Sequence, residues 1–288
     1  MEQRGRTRSV SFLVMLAGSL SSSCWASSGE AVQARLDSDV AAGMPIVVHV
    51  VVALCDNVHQ GIAPVPKHLG NGQDPRKNLY WGALYGVRTY LSRDSGWVTL
   101  GCDVPSDRRI LDRIMVYAVI ERRGSSVPVY IVADAWDGAH IEQALRSYFD
   151  TLEDDSAEIV IATHGSERLE IRAGGASHLA ASVGHNGLMD FSLPLPKTTG
   201  SPSFRKSAVV LACASKPYFA EPLREAGVHA LLLTWSFMAP EAYTLDAVIR
   251  AWVAGGSTPQ VIEAAATAYD RYQKCGLKAA RSLFWGAP

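Results

Sequence analysis

The chain has 288 residues, of which 48% are hydrophobic and 19% charged, and its formal net charge is −1. This composition supplies a substantial apolar core and excludes an extensively disordered chain. The near-neutral charge, without a dense cluster of Lys and Arg, argues against a nucleic-acid partner. The length suits one large domain, because single hydrophobic cores stop growing near roughly 250–300 residues.

The first 26 residues have the pattern of a secretory signal peptide. Three arginines precede a short apolar run at 11–20, which leads into the small and polar stretch SSSCWASS. The run is too short to span a bilayer, and no later segment is long enough for a membrane span. We therefore expect cleavage after Ala26 and export to the periplasm or the extracellular space. A lipoprotein anchored through Cys24 is the alternative.

Beyond the leader, residues 27–44 are predicted to form an N-terminal lead and residues 45–288 a single domain. Apolar runs typical of buried strands alternate with helical patterns. The clearest runs are PIVVHVVVAL (45–54), VPVYIVA (127–133), EIVIAT (158–163), HLAASV (178–183) and AVVLACAS (208–215). This alternation predicts an α/β fold with a mostly parallel sheet sandwiched by helices. The run ILDRIMVYAVI (110–120) fits a strand or a helix equally well.

Polar side chains follow the first and second of these runs. Asp56, Asn57 and Gln60 lead into a loop rich in Gly and Pro that extends to Asn78, and Asp134 follows the run at 127–133. Long loops over the carboxyl end of a strand are commonly functional, so these four residues are candidates for substrate binding. The alternative is that they only cap turns and helices.

Cys213 ends one apolar run and His185 lies just beyond another, which favours nucleophilic catalysis. A free thiol is mostly protonated at neutral pH, and a nearby imidazole stabilises the thiolate and later protonates the leaving amine. Gly184, Asn186 and Gly187 flank the histidine and are candidates for an oxyanion site. The competing interpretation makes Cys213 a packed thiol and His185 a turn residue. The four cysteines after the leader form no CxxC motif, so neither a metal site nor a cofactor is predicted.

An apolar strand ending in histidine, followed by another ending in Ala-Cys, resembles the caspase-like (clan CD) cysteine peptidases. This group includes caspases, legumains, gingipains, clostripain-like enzymes and the CHAT group. The stretch from VVLACAS to AGGS looks most like the CHAT group, and the blocks GNGQDP, GHNGLMDF and MAPEAYT look like a set of uncharacterised exported bacterial proteins. The resemblance implies a caspase-like fold and a Cys-His dyad acting on a peptide or protein substrate. The resemblance is equally consistent with a catalytically inactive relative of these peptidases that binds a ligand.

The family pattern places Gly directly after the catalytic histidine, which matches His164-Gly165 rather than His185-Asn186. We nevertheless favour His185, because its turn has glycine on both sides and leads into the apolar block LMDF. His164 leads into the charged stretch SERLEIR and is kept as the alternative. The resemblance also implies a pocket charge that selects substrate, for which Asp56, Asp134 and Asp190 are candidates. The sequence leaves the oligomeric state open.

Overall fold

The computed structural model describes the backbone of residues 19–93, 96–194 and 205–288, with side chains from residue 28 onward. The predicted signal peptide falls largely outside the described residues, so the leader and its lipid-anchor alternative at Cys24 stay predictions. Across the described ranges, no helix combines the length and the apolar character needed to cross a membrane.

The described residues form seven α-helices and ten strands. The helices are α1 (Ser19–Ala41), α2 (Val87–Leu91), α3 (Ile141–Glu153), α4 (Ser215–Glu225), α5 (Ala242–Val253), α6 (Thr258–Gln273) and α7 (Leu277–Leu283). The strands are β1 (Ile46–Ala53), β2 (Val98–Cys102), β3 (Ile110–Arg122), β4 (Ser125–Trp136), β5 (Ala157–His164), β6 (Glu167–Gly174), β7 (Leu179–Val183), β8 (Ser207–Leu211), β9 (His229–Thr234) and β10 (Phe284–Trp285).

All ten strands belong to one sheet in the order β10-β9-β8-β7-β1-β4-β3-β2-β5-β6. The five strands from β9 to β4 are parallel. Every other pairing, from β4 through β3, β2 and β5 to β6 and between β9 and β10, is antiparallel. The prediction of an α/β fold is confirmed, whereas the prediction of a mostly parallel sheet is wrong because the sheet is mixed.

Two tight hairpins produce the antiparallel half. Arg122 pairs with Ser125, so Arg123 and Gly124 alone connect β3 to β4, and both have positive φ, 47° and 85°. Two positive φ values in a two-residue loop match the twist of antiparallel strands. A similar two-residue turn through Gly165 joins β5 to β6. Neither connection leaves room for the helical crossover that a parallel pair requires.

Helices cover both faces of the sheet. On one face, alternate residues of β1 such as Val48 and Val50 pack in a large core with side chains of α1, α5 and α6. On the other face, Val51 packs with α3 and α4. The β5–β6 hairpin curls over this second face and encloses a small core of its own around Met115. A histidine at the middle of β1, His49, accepts a hydrogen bond from the backbone N–H of Gly174 at the end of β6.

The helix α1 packs onto the domain through its second half. Val32 and Leu36 are buried in the main core. Arg122 ties the end of β3 to this helix, because its guanidinium donates to a carboxylate oxygen of Asp37 at 2.6 Å. The side chains of residues 28–41 therefore pack as part of the α/β domain.

Candidate functional site

The parallel pair β7–β8 brings a histidine and a cysteine to the same edge of the sheet. Val183 pairs with Leu211, and the backbone N–H of Gly184 donates to the Leu211 carbonyl at 3.1 Å. His185 and Cys213 each lie two residues beyond the paired positions of their strands. The carboxyl ends of parallel strands are where α/β sheets hold their reactive groups.

The side chain of Asn186 links the two strand ends. It is fully buried, and its Nδ2 donates to the carbonyl oxygen of Cys213 at 2.9 Å and to that of Ala214 at 3.4 Å. Its Oδ1 is buried and has no hydrogen-bond partner in the described part of the chain. Asn186 therefore fixes the backbone that carries the cysteine against the turn that carries the histidine.

The Cys213 thiol lies where positive electrostatic potential is expected. Helix α4 starts two residues later, at Ser215, after Ala214 turns the chain in a left-handed conformation with φ of 46°. The N-terminus of a helix carries a partial positive charge that favours a thiolate. The backbone N–H of Met238 also approaches the Cys213 sulfur, with nitrogen and sulfur 3.4 Å apart.

The accessibility of Cys213 differs from that of Cys55. Cys213 is partly exposed, whereas Cys55 is buried, and burial raises the pKa of the Cys55 thiol to about 11. Within the described residues, Cys213 Sγ is hydrogen-bonded only to the backbone of Met238, whose carbonyl accepts from the thiol at 3.6 Å, and to no imidazole. The cysteine is therefore accessible, and its thiol and the imidazole of His185 are not hydrogen-bonded in this structure.

His185 is held by a carboxylate. Its Nε2 is 2.7 Å from Oδ2 of Asp190, and the same oxygen accepts a hydrogen bond from the backbone N–H of Gly61 at 2.9 Å. A short helical turn at Gly187–Met189 brings Asp190 back toward the histidine. The imidazole is mostly buried, with 8% of the side chain exposed, and the Asp190 side chain is 32% exposed.

Of the proposed oxyanion donors, Gly184 and Gly187 already have acceptors. The N–H of Gly184 donates to Leu211, and that of Gly187 donates to the carbonyl of His185 at 3.1 Å. Neither group is free to bind an oxyanion in this arrangement. The backbone N–H of Asn186 has no acceptor among the described residues, so it is the member of the predicted set that stays a candidate.

The structure does not bring His164 near Cys213. The strand β5 is antiparallel to β2, β2 to β3, and β3 to β4, so β5 runs opposite to β7 and β8. His164 ends β5 and therefore lies at the opposite edge of the sheet, on an exposed hairpin. The alternative in which His164 acts as the base is incompatible with this geometry.

The predicted substrate residues after β1 are used within their own loop. Asn57 binds both backbone groups of Val65, and Gln60 Nε2 donates to the carbonyls of Leu54 and Gly138. Asp56 accepts hydrogen bonds from Gln73 and His59 and from backbone N–H groups. Burial alone would raise the pKa of Asp56, but these donors outweigh burial and lower it. The three side chains therefore hold the loop over the end of β1.

Asp134 is buried within the sheet rather than at a strand end, because β4 continues to Trp136. Its two oxygens accept from Nε and Nη2 of Arg113 at 2.5 and 2.7 Å, and Oδ2 also lies 3.2 Å from His49 Nε2. Burial would raise the pKa of Asp134, and the bonds from Arg113 and His49 lower it instead. Both oxygens of Asp134 are therefore engaged by other side chains of the sheet.

The sequence interpretation missed the segment that flanks the cysteine, residues 235–238. Ser236 accepts a hydrogen bond from the backbone N–H of Ala214 at 2.9 Å, and Met238 contacts the thiol. Trp235 and Phe237 are 49% and 78% exposed. Large aromatic side chains directly after a buried strand are unusual on a free surface, and the letters TWSFM could have drawn attention to this segment.

No group of three or more His, Cys, Asp or Glu side chains within the described ranges is arranged to hold a metal ion. Comparisons with protein-family models, with curated proteins and with solved structures find no match for the chain. The residues at the ends of β7 and β8 are therefore the main indication of function.

Proposed function

We propose that this protein is an exported cysteine peptidase-like hydrolase with a caspase-like arrangement of its site, in which Cys213 is the nucleophile and His185 the base. The observation that supports this most directly is the register of β7 and β8, which places the two residues at equivalent positions on neighbouring parallel strands. Export is proposed from the N-terminal sequence alone.

The proposed reaction uses the two side chains in turn. The Cys213 thiolate attacks the carbonyl carbon of a peptide or related acyl substrate, and His185 carries the proton taken from the thiol. The tetrahedral intermediate collapses as this proton passes to the leaving amine, leaving an acyl thioester. Water, deprotonated by His185, then attacks the thioester, so that acid and thiol are released. The backbone N–H of Asn186 is the proposed oxyanion donor.

Several features of the cysteine support this role. Cys213 is partly exposed, directly precedes a helix N-terminus and receives a backbone N–H at its sulfur. Each of these favours a reactive thiolate over an inert thiol. The carboxylates Asp56, Asp134 and Asp190 are all bonded to other groups, so none is proposed to select a basic residue of the substrate.

A catalytically inactive binding module is the second candidate. The observation that favours it is the hydrogen bond from the Cys213 thiol to the Met238 carbonyl, because a thiol engaged there is not paired with His185. In that case the exposed Trp235 and Phe237 would form part of a binding surface beside a structural cysteine.

Labelling with a thiol-directed peptide electrophile separates the two candidates. We expect adduct formation at Cys213, detected by intact-mass and peptide-mass spectrometry and absent from Cys213→Ala. His185→Ala should slow labelling by about 10²-fold or more, the usual contribution of a catalytic base. The matched control His164→Ala removes a histidine from the opposite edge of the sheet and should label normally. Cys275→Ala controls for the exposed cysteine. Labelling of Cys213 at an equal rate in both histidine variants would support the binding module.

A further inference from the structure

Among the residues that the structure describes, Asp190 is the one carboxylate bonded to His185, and it is itself held by a second segment of the chain. Oδ2 of Asp190 is 2.7 Å from His185 Nε2 and accepts the Gly61 N–H at 2.9 Å. Gly61 belongs to the loop after β1, whereas Asp190 follows β7. The carboxylate thus connects the histidine to a loop more than a hundred positions away in sequence.

The contact with Asp190 determines which nitrogen of His185 can act as a base. A carboxylate accepts hydrogen bonds, so Nε2 must carry the proton that it shares with Asp190. In the neutral imidazole the lone pair then resides on Nδ1, the only ring nitrogen left to exchange a proton with Cys213. Without the carboxylate, both tautomers and other ring orientations become accessible.

Gly61 leaves space for this carboxylate. A Cβ at position 61 would lie 2.3 Å from Oδ1 and 2.9 Å from Cγ of Asp190. The φ of Gly61 lies outside the left-handed region, so the constraint is space and not backbone conformation. Any side chain at position 61 must displace Asp190, which itself holds His185.

We infer that Asp190 is a positioning residue for His185 and that Gly61 holds Asp190 in place, so that the loop after β1 forms part of the catalytic apparatus. The inference rests on the proposed function, since it assigns Nδ1 of His185 to the reaction with Cys213. Asp190 acts through the histidine and does not touch the substrate, in contrast to the pocket charge expected from the sequence.

The groups around His185 limit what its pH dependence can report. Asp190 lies on the same turn, Cys213 on the neighbouring strand end, and the Tyr80 ring packs against Gly184, where an added Cβ would be 3.3 Å from Cδ2. Burial raises the pKa of Tyr80 well above its ordinary value, so its phenol stays neutral across the useful pH range. His59 lies two residues before Gly61 on the loop after β1 and is bonded to Asp56, so the informative quantity is the difference between the pH profiles of the variant and the wild type.

The test uses iodoacetamide, a small uncharged electrophile that has no side chain for a specificity pocket to select. The rate of Cys213 alkylation is measured by mass spectrometry from pH 4 to 10, on the order of the range in which thiols and imidazoles titrate. Asp190→Asn should lower the rate near neutral pH by about 10-fold or more and change the shape of the profile. Gly61→Ala leaves the side chains of Cys213, His185 and Asp190 intact and should lower the alkylation rate by a smaller factor than Asp190→Asn. Asp107→Asn is the control, because the Asp107 side chain is also 32% exposed.

The protonation of each His185 ring nitrogen, measured by ¹⁵N NMR, tests the role of Asp190 independently of whether Cys213 is a catalytic nucleophile. In the wild type, His185 should be protonated at Nε2, and Asp190→Asn should shift the population toward the other tautomer. This readout does not require a reactive thiol, so it holds even if Cys213 proves inert. An unchanged tautomer and an unchanged alkylation profile in Asp190→Asn would overturn the inference. Peptide electrophiles carrying Lys or Arg are measured beside iodoacetamide, and a loss confined to these peptide reagents would instead show that Asp190 selects the substrate.

Discussion

Two of the His–Asp pairs at the sheet differ in their surroundings. In the parallel half, His185 and Asp190 meet on a turn beyond β7, and the Asp190 side chain is 32% exposed. Where the parallel strands meet the antiparallel ones, His49 of β1 and Asp134 of β4 meet inside the sheet, with side chains only 5% and 3% exposed, and Arg113 of β3 binds Asp134 through two nitrogens. The same two residue types thus meet on a turn in one pair and within a buried ion-pair network in the other.

The surroundings of each pair determine what it can do. A buried carboxylate is tolerated only when donors surround it, and those donors keep the carboxylate ionised. The Asp190 carboxylate, on the turn beyond β7, has fewer hydrogen-bond donors around it and is partly exposed to solvent. We therefore expect the Asp134 network to contribute to stability and the Asp190 contact to contribute to reactivity, and the stability of Arg113→Met and of Asp190→Asn tests this expectation directly.

The largest expected effect is on the buried network. Arg113→Met leaves Asp134 buried without its main partner and should reduce the free energy of unfolding by about 3–5 kcal/mol, as is usual for breaking a buried pair from one side. Urea denaturation followed by circular dichroism measures the change. Arg281→Met is the control, because Arg281 forms an exposed pair with Glu263 and should cost less than about 1 kcal/mol. Equal losses in the two variants would refute the distinction.

A third histidine extends the comparison to a site whose partners are hydroxyl groups. His229 lies between Ser28 Oγ and Thr258 Oγ1, at 2.7 and 3.2 Å, and burial lowers its pKa from 6.5 to about 4. As the pH falls below 6.5, the histidine is protonated in the unfolded chain but stays neutral in the folded protein. The free energy of unfolding is therefore at its full value above pH 6.5 and decreases as the pH falls toward 4. The loss amounts to ~3 kcal/mol at about 1.4 kcal/mol per pKa unit.

Unfolding measured between pH 4 and 7.5 checks this dependence. In His229→Gln, the part of this decrease in unfolding free energy with falling pH that is due to His229 should be absent. Burial also lowers the pKa of His178, which adds a slope of the same sign, so the informative quantity is the difference between wild type and variant. Identical slopes in both proteins would show that His229 does not titrate as described.

An intermediate effect is expected at the turn before His185. Gly184 has a φ of 143°, and an added Cβ would lie 2.9 Å from the carbonyl oxygen of Ala53. Gly184→Ala should therefore cost about 1–3 kcal/mol of stability, measured by thermal unfolding. Ala214→Gly relaxes another positive φ in the same site and should change stability by less than about 1 kcal/mol. A fully stable Gly184→Ala would mean that the turn is adaptable.

The smallest expected effect on stability is that of Asp190→Asn. Its contacts with His185 and Gly61 are partly exposed, so their removal should cost less than about 1 kcal/mol. Urea denaturation under the conditions used for Arg113→Met gives the direct comparison. A loss above about 3 kcal/mol would place Asp190 with Asp134 as a structural residue and remove the contrast between the two pairs.

Local patterns in the sequence predicted the elements well but not their directions. The run AVVLACAS indicated the strand observed at Ser207–Leu211, and HLAASV indicated Leu179–Val183. An apolar run is the same whether its strand is parallel or antiparallel, so EIVIAT was assigned to the parallel sheet. The strand directions are determined by the turns. Two-residue hairpin loops at Arg123-Gly124 and Gly165-Ser166 are too short for the crossover that parallel strands require.

In the candidate site, too, the sequence predicts local positions but not long-range contacts. The neighbouring positions of His185 and Cys213 follow from their places beyond consecutive parallel strands, which the apolar pattern suggests. The partners of Asp190 and Asp134 do not follow, because they depend on a short helical turn and on a pairing with β3 that places Arg113 opposite Asp134. The space at Gly61 depends on contacts more than a hundred positions apart and leaves no local trace in the sequence.

The curled hairpin has a consequence for self-association through exposed strands. The strand β6 is the last of the ten and would offer unpaired backbone groups to another chain. Its outward positions carry exposed charges at Arg168, Glu170 and Arg172, while Ile171 and Ala173 point inward. Alternating charge on an edge strand discourages β-augmentation, and the fold of Gly174 onto His49 covers one end of this edge. The antiparallel half is thereby protected against the edge-to-edge pairing that leads to aggregation.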